Sequence, residues 1–288
     1  MWQQKSFAEE NVGMLYIVPT PIGNLEDITL RALRVLKEVD WIAAEDTRQT
    51  KKLLNHFEIS TPVMSYHEHN KYESGAKIVE WLQEGKNIAL VSDAGMPAIS
   101  DPGYELVAAA IEAKCKVVPL PGANAAVTAL VASGLATEHF YFFGFLDRTK
   151  KEKKKQLDAL KRVRDTLIFY EAPHRLEDTL LAMQEVLGER KVALCRELTK
   201  RFEEFIRGTM SEVIEWAKQE EVRGEFCLVV DGAKECEEPQ DEWWQPLSII
   251  DHVDYYVNEK KMNTKEAIKQ VAVDRNMPKR EIYQAYHQ

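Results

Sequence analysis

The chain has 288 residues, enough for two ordinary domains that each bury a hydrophobic core. Hydrophobic residues make up 45% and charged residues 30%, and no apolar run approaches the roughly 20 residues of a membrane-spanning helix, so we expect a globular protein without membrane contact. The net charge of −9 argues against a protein that binds nucleic acid over its whole surface.

The N-terminal segment indicates a cytoplasmic protein, and the cysteines indicate neither a disulfide framework nor a metal site. Residues 1–11 are polar and lack the basic start and apolar stretch of a signal peptide. The four cysteines stand far apart and form no C-x-x-C pair, so we expect buried free thiols rather than a disulfide framework or a zinc site. No metal is predicted.

Strand-like and helix-like patterns alternate in the first part of the chain. Apolar residues recur at helical spacing between five short, β-prone segments, which are residues 14–18, 41–44, 62–66, 87–91 and 116–120. A β-α alternation of this kind predicts a mainly parallel, doubly wound sheet. We assign this sheet to an N-terminal α/β domain of residues 12–122.

The alternation restarts after Pro121 and Gly122. A helix of small residues is expected over 123–133, and four more strand-like segments follow, at residues 141–145, 166–170, 191–196 and 225–230. They predict a second α/β domain, residues 123–234, packed closely on the first. Beyond an acidic stretch, residues 246–288 are expected to form a helical extension of two or three short helices.

Two loops at predicted strand ends have the features of a ligand site. Residues 19–24 follow the first strand and residues 92–103 follow the fourth, and both loops contain glycine and proline. Ligands of open parallel sheets bind at the carboxyl ends of the strands. Neither loop has the G-x-G-x-x-G pattern, and no P-loop pattern occurs. Either loop alone is explained equally well as a tight turn, but the pair favours a ligand site.

Polar residues follow other predicted strands. Asp46 has the carboxylate needed to polarise a hydroxyl, although a helix N-cap paired with Arg48 is an equally good alternative. Glu171 and His174 follow one strand of the second domain, and a structural role is the more common one for such a histidine. Lys200 follows the next strand and is expected to close the same cleft.

Residues 148–164 form a strongly basic stretch. They hold nine Lys or Arg residues and only two acidic ones, directly after an aromatic segment. A basic segment beside aromatic side chains suits an RNA backbone, although such a run is more often a solvated helix face. We expect Lys153, Lys154 and Lys155 to contact RNA. The final helices hold few arginines, so we expect them to pack or to mediate dimer contacts rather than to read bases.

Six motifs resemble a known family in sequence and in order. They are residues 15–25 (LYIVPTPIGNL), 44–48 (AEDTR), 92–95 (SDAG), 100–103 (SDPG), 119–124 (PLPGAN) and 169–175 (FYEAPHR). They are similar to the tetrapyrrole methylase superfamily and, within it, to the branch that methylates ribosomal RNA of the small subunit. The resemblance extends from Leu15 to about Val230, which is most of the chain.

The resemblance implies two α/β domains of the tetrapyrrole methylase type, S-adenosylmethionine in the cleft between them, and a homodimer. It implies 2′-O-methylation of a cytidine ribose in the decoding region of small-subunit ribosomal RNA, either naked or in the assembled small ribosomal subunit. Carried over by position, the cofactor-binding residues are Ile22, Asp93, Gly95, Met96, Asn124, Ala125, Tyr170, Glu171, Leu198 and Phe226. The candidates for removing the hydroxyl proton are Asp46, Glu171 and Lys200.

Two other functions stay open on the sequence alone. One is a methyltransferase of the same fold that acts on a tetrapyrrole or a protein side chain, and the other is a noncatalytic ribosome-binding module. Three places depart from the family pattern. Met96 replaces a common threonine and removes a hydroxyl from the cofactor loop, Cys195 replaces an alanine, and residues 146–148 lack a usual proline. None of them is expected to disturb the fold.

Overall fold

The structure is a computed structural model that describes residues 1–6, 12–219, 222–234, 244, 246–275 and 277–287. The chain divides into two compact units, Met1–Ala233 and Lys234–Gln288. Within the described ranges, no helix is both long enough and apolar enough to cross a membrane. Cys115, Cys195 and Cys227 are buried free thiols, as predicted, and Cys236 lies outside the described residues.

The first sheet is entirely parallel, which confirms the prediction from the alternating pattern. Its strand order is β3-β2-β4-β1-β5. The strands are β1 (Met14–Ile17), β2 (Trp41–Ala44), β3 (Val63–Ser65), β4 (Ile88–Val91) and β5 (Lys116–Pro119). The helices between them are α1 (Leu30–Glu38), α2 (Thr47–His56), α3 (Lys71–Gln83) and α4 (Tyr104–Glu112).

Both faces of this sheet are covered by helices. Leu36 of α1 and Leu54 of α2 belong to the hydrophobic core on one face, while Ile78 of α3 and Leu106 of α4 belong to the core on the other. Every residue of β4 is buried, as expected for a central strand with apolar side chains on both faces. The loops at the carboxyl ends of β1 and β4 therefore start from a rigid base.

The second sheet is mixed, with strand order β6-β7-β10-β8-β9. Strands β6 and β7 are parallel, whereas β7, β10, β8 and β9 pair antiparallel in turn. The strands are β6 (Phe140–Phe145), β7 (Thr166–Glu171), β8 (Lys191–Arg196), β9 (Glu204–Thr209) and β10 (Phe226–Val230). The helices are α5 (Ala125–Ser133), α6 (Lys150–Leu160), α7 (Leu176–Leu187) and α8 (Met210–Gln219).

Strand β9 was not predicted from the sequence. It forms one edge of the second sheet and pairs only with β8 within the described part of the chain. None of its six residues is buried, and its sequence, EFIRGT, lacks an apolar run. Backbone hydrogen bonds to β8, rather than hydrophobic burial, therefore stabilise the extended conformation of this segment.

The basic helix α6 is tied to the core by a buried lysine. Lys153 is only 5% exposed, and its ammonium donates a hydrogen bond to the Thr179 hydroxyl at 2.8 Å. That hydroxyl in turn donates to a carboxylate oxygen of Glu171 at 2.6 Å. Burial lowers the pKa of Lys153, against the opposing charge of Glu171. The prediction that Lys153 contacts RNA is therefore wrong, because its ammonium is buried and bonded to a hydroxyl inside the protein.

The described part of the second unit contains three short helices, in agreement with the predicted helical extension. They are α9 (Ile249–Asn258), α10 (Thr264–Asp274) and α11 (Lys279–His287). Val253, Ile268, Val271 and Ile282 are buried against one another in a separate hydrophobic cluster. Ile268 and Val271 are three residues apart on α10 and so share one face of that helix, which packs on Val253 of α9 and Ile282 of α11.

We predict that Lys153→Ala lowers the free energy of unfolding by about 2 kcal/mol or more, because it removes a charged hydrogen bond and leaves buried polar groups without a partner. Lys155→Ala is the matched control, since the Lys155 side chain is 78% exposed and its nearest carboxylate is 3.6 Å away. Urea denaturation measures both variants. Equal effects of the two substitutions would contradict the structural role of Lys153.

Candidate active site

A cavity of about 600 Å³ lies within the first unit, where the carboxyl ends of β1 and β4 face the second sheet. Both halves of the unit contribute to its walls. The first half supplies Ile22 and the loop after β4, and the second supplies the start of α5, the end of β7 and the neighbouring ends of β8 and β10. Its volume falls in the range of pockets that enclose a small organic molecule.

The two loops predicted to form a ligand site are joined by hydrogen bonds. The backbone N–H and carbonyl of Thr20 pair with those of Gly95, both at 2.9 Å. The Thr20 hydroxyl also donates to the Ser92 carbonyl at 3.1 Å. Gly95 has φ +80°, and a Cβ at this position would lie 3.2 Å from Ile22. Glycine therefore allows both the backbone conformation and the close approach of the loops.

The loop after β4 has a strained backbone. Ala98 and Ser100 have φ values of 66° and 63°, a region that non-glycine residues rarely adopt. Gly103, with φ 150°, closes the loop, and a Cβ there would lie 2.9 Å from both Leu90 and Ala98. Strain of this kind persists where the surrounding packing imposes it, often beside a functional site.

All ten of the predicted cofactor-binding residues line this cavity. They are Ile22, Asp93, Gly95, Met96, Asn124, Ala125, Tyr170, Glu171, Leu198 and Phe226. They come from six segments that are distant in sequence. His174 also lines the cavity and is exposed. Among the described residues, no group of His, Cys, Asp and Glu side chains is arranged to hold a metal ion.

Asp46 does not line the cavity. Its carboxylate caps α2 by accepting the Arg48 N–H at 2.8 Å, and it pairs with the Arg48 guanidinium at 2.8 Å. These bonds hold the pKa of Asp46 at about 2. Its backbone N–H donates to the Asp93 carboxylate at 3.1 Å. The structure thus places Asp46 as a helix cap beside the cavity, and its low pKa makes it a weak proton acceptor.

Glu171 lines the cavity, but its carboxylate is occupied by protein partners. The side chain is 1% exposed and lies 3.2 Å from the Arg175 guanidinium. It accepts the Thr179 hydroxyl at 2.6 Å and the Ala172 N–H at 2.9 Å. Arg175 also donates to the carbonyl of Leu146 at 2.7 Å. Glu171 therefore connects the cavity wall to the loop after β6.

Lys200 lines the cavity as a paired cation. Its ammonium donates to Glu197 at 3.0 Å and to Glu225 at 2.9 Å. Burial disfavours the charged form, but these two hydrogen bonds outweigh it and raise the pKa of Lys200. A Cβ on Gly23 would lie 2.4 Å from the Lys200 stem, so the side chain packs on the first loop. At neutral pH Lys200 stays protonated and has no lone pair to accept a proton.

Asp101 is a cavity residue that the sequence interpretation did not single out as a site residue. Burial raises its pKa to about 6, the Ser92 hydrogen bond lowers it, and the charge of Asp93 raises it again. The motif that contains Asp101 was visible in the sequence, but nothing in it showed that the carboxyl group faces a cavity. Burial also raises the pKa of nearby Glu45, with Asp101 and Asp93 adding to the effect.

Aromatic side chains form one wall of the cavity. The ring of Phe145 lies 5.6 Å from that of Tyr170, and Phe142 packs on Tyr170 at 5.0 Å. Phe145 is 53% exposed, although it lines the cavity. Such an exposed aromatic ring beside a cavity is available to stack on a flat ligand.

Comparisons with known proteins agree with the motifs. Residues 14–214 match the family model for Tetrapyrrole (Corrin/Porphyrin) Methylases. The chain is 61% identical over 287 residues to "Ribosomal RNA small subunit methyltransferase I" of Bacillus subtilis (strain 168), covering 99% of this chain and 98% of that protein. It is 59% identical over 286 residues to the protein of the same name from Halalkalibacterium halodurans, with 99% of each covered.

Solved structures share the fold at low identity. A diphthine synthase has a TM-score of 0.60 and 14% identity, with 76% of this chain and 90% of that chain covered. Uroporphyrin-III C-methyltransferase from Thermus thermophilus, complexed with S-adenyl homocysteine, has a TM-score of 0.53 and 19% identity, with 76% and 97% covered. Because the family model spans most of the chain and the curated relatives match it over nearly their whole length, the chain belongs to the tetrapyrrole methylase family, in the branch of the ribosomal RNA small subunit methyltransferase I proteins.

Proposed function

We propose that the protein transfers a methyl group from S-adenosylmethionine to the ribose 2′-hydroxyl of a cytidine in the decoding region of small-subunit ribosomal RNA. The observation that carries the proposal is the single cavity around which all ten expected cofactor-binding residues meet. Membership of the ribosomal RNA branch of the family supports the choice of acceptor.

The residues of the cavity fit S-adenosylmethionine. The apolar side chains of Ile22, Leu198 and Phe226 suit an adenine ring, while the carboxylate of Asp93 suits a positively charged group of the cofactor. The cofactor supplies a methyl group that is already activated by the positive sulfur. The protein's own task is then to align the acceptor, and alignment alone is worth roughly 7–11 kcal/mol in well-oriented reactions.

The acceptor is proposed to approach over the aromatic wall and the start of α6. Phe145 offers a ring for base stacking, and Arg148, Lys150 and Lys151 are exposed cations that follow it within six residues. Lys154 is paired with Glu185 instead. Recognition of the 2′-hydroxyl explains a preference for RNA over DNA.

The alternative acceptors have less support. Solved enzymes named for uroporphyrin III and diphthine share 23% and 14% identity with the chain, a level that establishes only the fold. Two relatives named for ribosomal RNA are 61% and 45% identical to it over nearly their full length. A noncatalytic ribosome-binding module would show no methyl transfer in an activity assay, which distinguishes it from the proposed enzyme.

Three further parts of the proposal rest on the resemblance and the sequence. We propose a homodimer that works in the cytoplasm. We also propose that residues 12–122, 123–234 and 246–288 are the three structural segments of the chain, the first two holding one sheet each.

The direct test is transfer of tritium from labelled S-adenosylmethionine to isolated small ribosomal subunits and to naked RNA. We expect label in a dinucleotide that resists alkaline hydrolysis, because a methylated 2′-oxygen cannot attack the neighbouring phosphate. Label in a tetrapyrrole or a protein fraction would favour the alternative acceptors. Absence of any transfer would favour the noncatalytic module.

We predict that Asp93→Ala weakens binding of S-adenosylmethionine by roughly 10- to 100-fold, because one charged contact to the cofactor is lost. Isothermal titration calorimetry measures the dissociation constant. Asp178→Ala is the control, since Asp178 is exposed on α7 and does not line the cavity. Unchanged affinity of Asp93→Ala would count against this placement of the cofactor.

We predict that replacing Arg148, Lys150 and Lys151 with glutamine weakens RNA binding. The slope of the logarithm of the binding constant against the logarithm of the salt concentration should become shallower by about two to three, because up to three phosphate contacts are lost. Fluorescence anisotropy at several salt concentrations measures the slope. The control replaces three exposed lysines of the first half of the chain, which are Lys37, Lys77 and Lys114. Equal slopes for the two triple variants would remove the start of α6 from the interface.

A further inference from the structure

The residue that accepts the hydroxyl proton is not settled by the three sequence candidates. Asp46 lies outside the cavity lining and is held as an anion by Arg48. The Glu171 carboxylate is bonded to Thr179 and Arg175. The Lys200 ammonium is paired with two glutamates. A ribose hydroxyl is a weak acid, so a base of suitable pKa beside it accelerates the transfer.

Asp101 lines the cavity from a loop that approaches strand β6. The preceding residue, Ser100, places its hydroxyl 3.0 Å from where a Cβ of Gly144 would be, directly before Phe145 in the chain. This approach brings the loop that carries Asp101 next to strand β6, which carries Phe145, the ring on which the base is proposed to stack.

Asp101 belongs to a constrained loop, and its carboxyl group is not paired with a cation among the described residues. The strained backbone at Ser100 and the close packing of Gly103 against Leu90 and Ala98 fix the path of this loop. The ionisable groups that interact electrostatically with Asp101 are the carboxyl groups of Glu45 and Asp93 and the phenol of Tyr170, and exposed His174 lines the same cavity. No cation among the described residues is bonded to it, so the carboxylate keeps its basicity.

We propose that Asp101 is the catalytic residue that accepts the proton of the ribose 2′-hydroxyl during methyl transfer, an inference that rests on the proposed function. The hydroxyl oxygen forms a bond to the methyl carbon, and the carbon–sulfur bond breaks with its electron pair going to sulfur. The O–H proton passes to the Asp101 carboxylate. A sulfonium and a carboxylate thus become a neutral thioether and a carboxylic acid, and the proton then leaves to water.

The first test is the pH dependence of single-turnover methylation of small ribosomal subunits. For the unaltered protein we expect the rate to rise with pH to a plateau above about 6, since only the deprotonated carboxylate accepts a proton. Asp101→Asn should lower the plateau rate about 100-fold or more and abolish the rise of the rate with pH. Asp178→Asn, on the exposed face of α7, is the matched control and should keep the plateau rate and the rise of the rate with pH.

The second test does not depend on activity. Carbon NMR of the protein labelled at aspartate carboxyl groups should show one resonance that titrates near pH 6 and disappears in Asp101→Asn. Calorimetry with S-adenosylhomocysteine should give similar affinities for the two proteins, which would exclude a loss of fold or cofactor site as the cause of the slow rate.

Two results would overturn the inference. One is an Asp101→Asn protein that binds S-adenosylhomocysteine normally and keeps both the methylation rate and its rise with pH. The other is loss of the rise with pH in His174→Gln but not in Asp101→Asn, which would identify the exposed histidine as the proton acceptor. If the unaltered protein transfers no methyl group to any RNA, the proposed function fails instead, while the NMR titration still reports on the carboxyl group.

Discussion

The buried carboxylate of Glu171 is the constraint on which the second half of the first unit depends. An anion removed from water must be compensated, and here Thr179, Arg175 and, through Thr179, Lys153 do so. These partners belong to α6, α7 and the turn after β7. Arg175 also donates a hydrogen bond to the loop after β6. The Glu171 carboxylate therefore stabilises both the cavity wall and the segment that is proposed to contact RNA.

The two loops that the first half contributes to the cavity are joined by backbone hydrogen bonds. The pairing of Thr20 with Gly95 joins the ends of β1 and β4 into one surface, and Lys200 packs on Gly23 from the other half. Side chains from both sheets can therefore meet at one ligand. In these surroundings the half-buried carboxyl group of Asp101 has a raised pKa, because burial removes water from it and Asp93 carries a like charge, and these effects outweigh the opposing hydrogen bond of Ser92.

The sequence was informative where hydrophobic burial determines structure. Nine strands were predicted from apolar runs, and β9 was missed because edge pairing and not burial determines it. Family motifs led to the ten residues that line the cavity. The buried state of Lys153 was not predictable, since it requires a hydroxyl 26 residues away in the chain. The position of Asp101 likewise depends on how a strained loop folds back.

Gly144 affects how closely the two halves of this unit approach each other beside the cavity. It lies at the bulge of β6 with φ +82°, and a Cβ there would lie 3.0 Å from the Ser100 hydroxyl. Any other residue would adopt a strained backbone conformation and would require the Ser100 hydroxyl to shift by a few tenths of an ångström. The spacing between the loop that carries Asp101 and the strand that carries Phe145 therefore depends on glycine at a position that takes no part in the reaction.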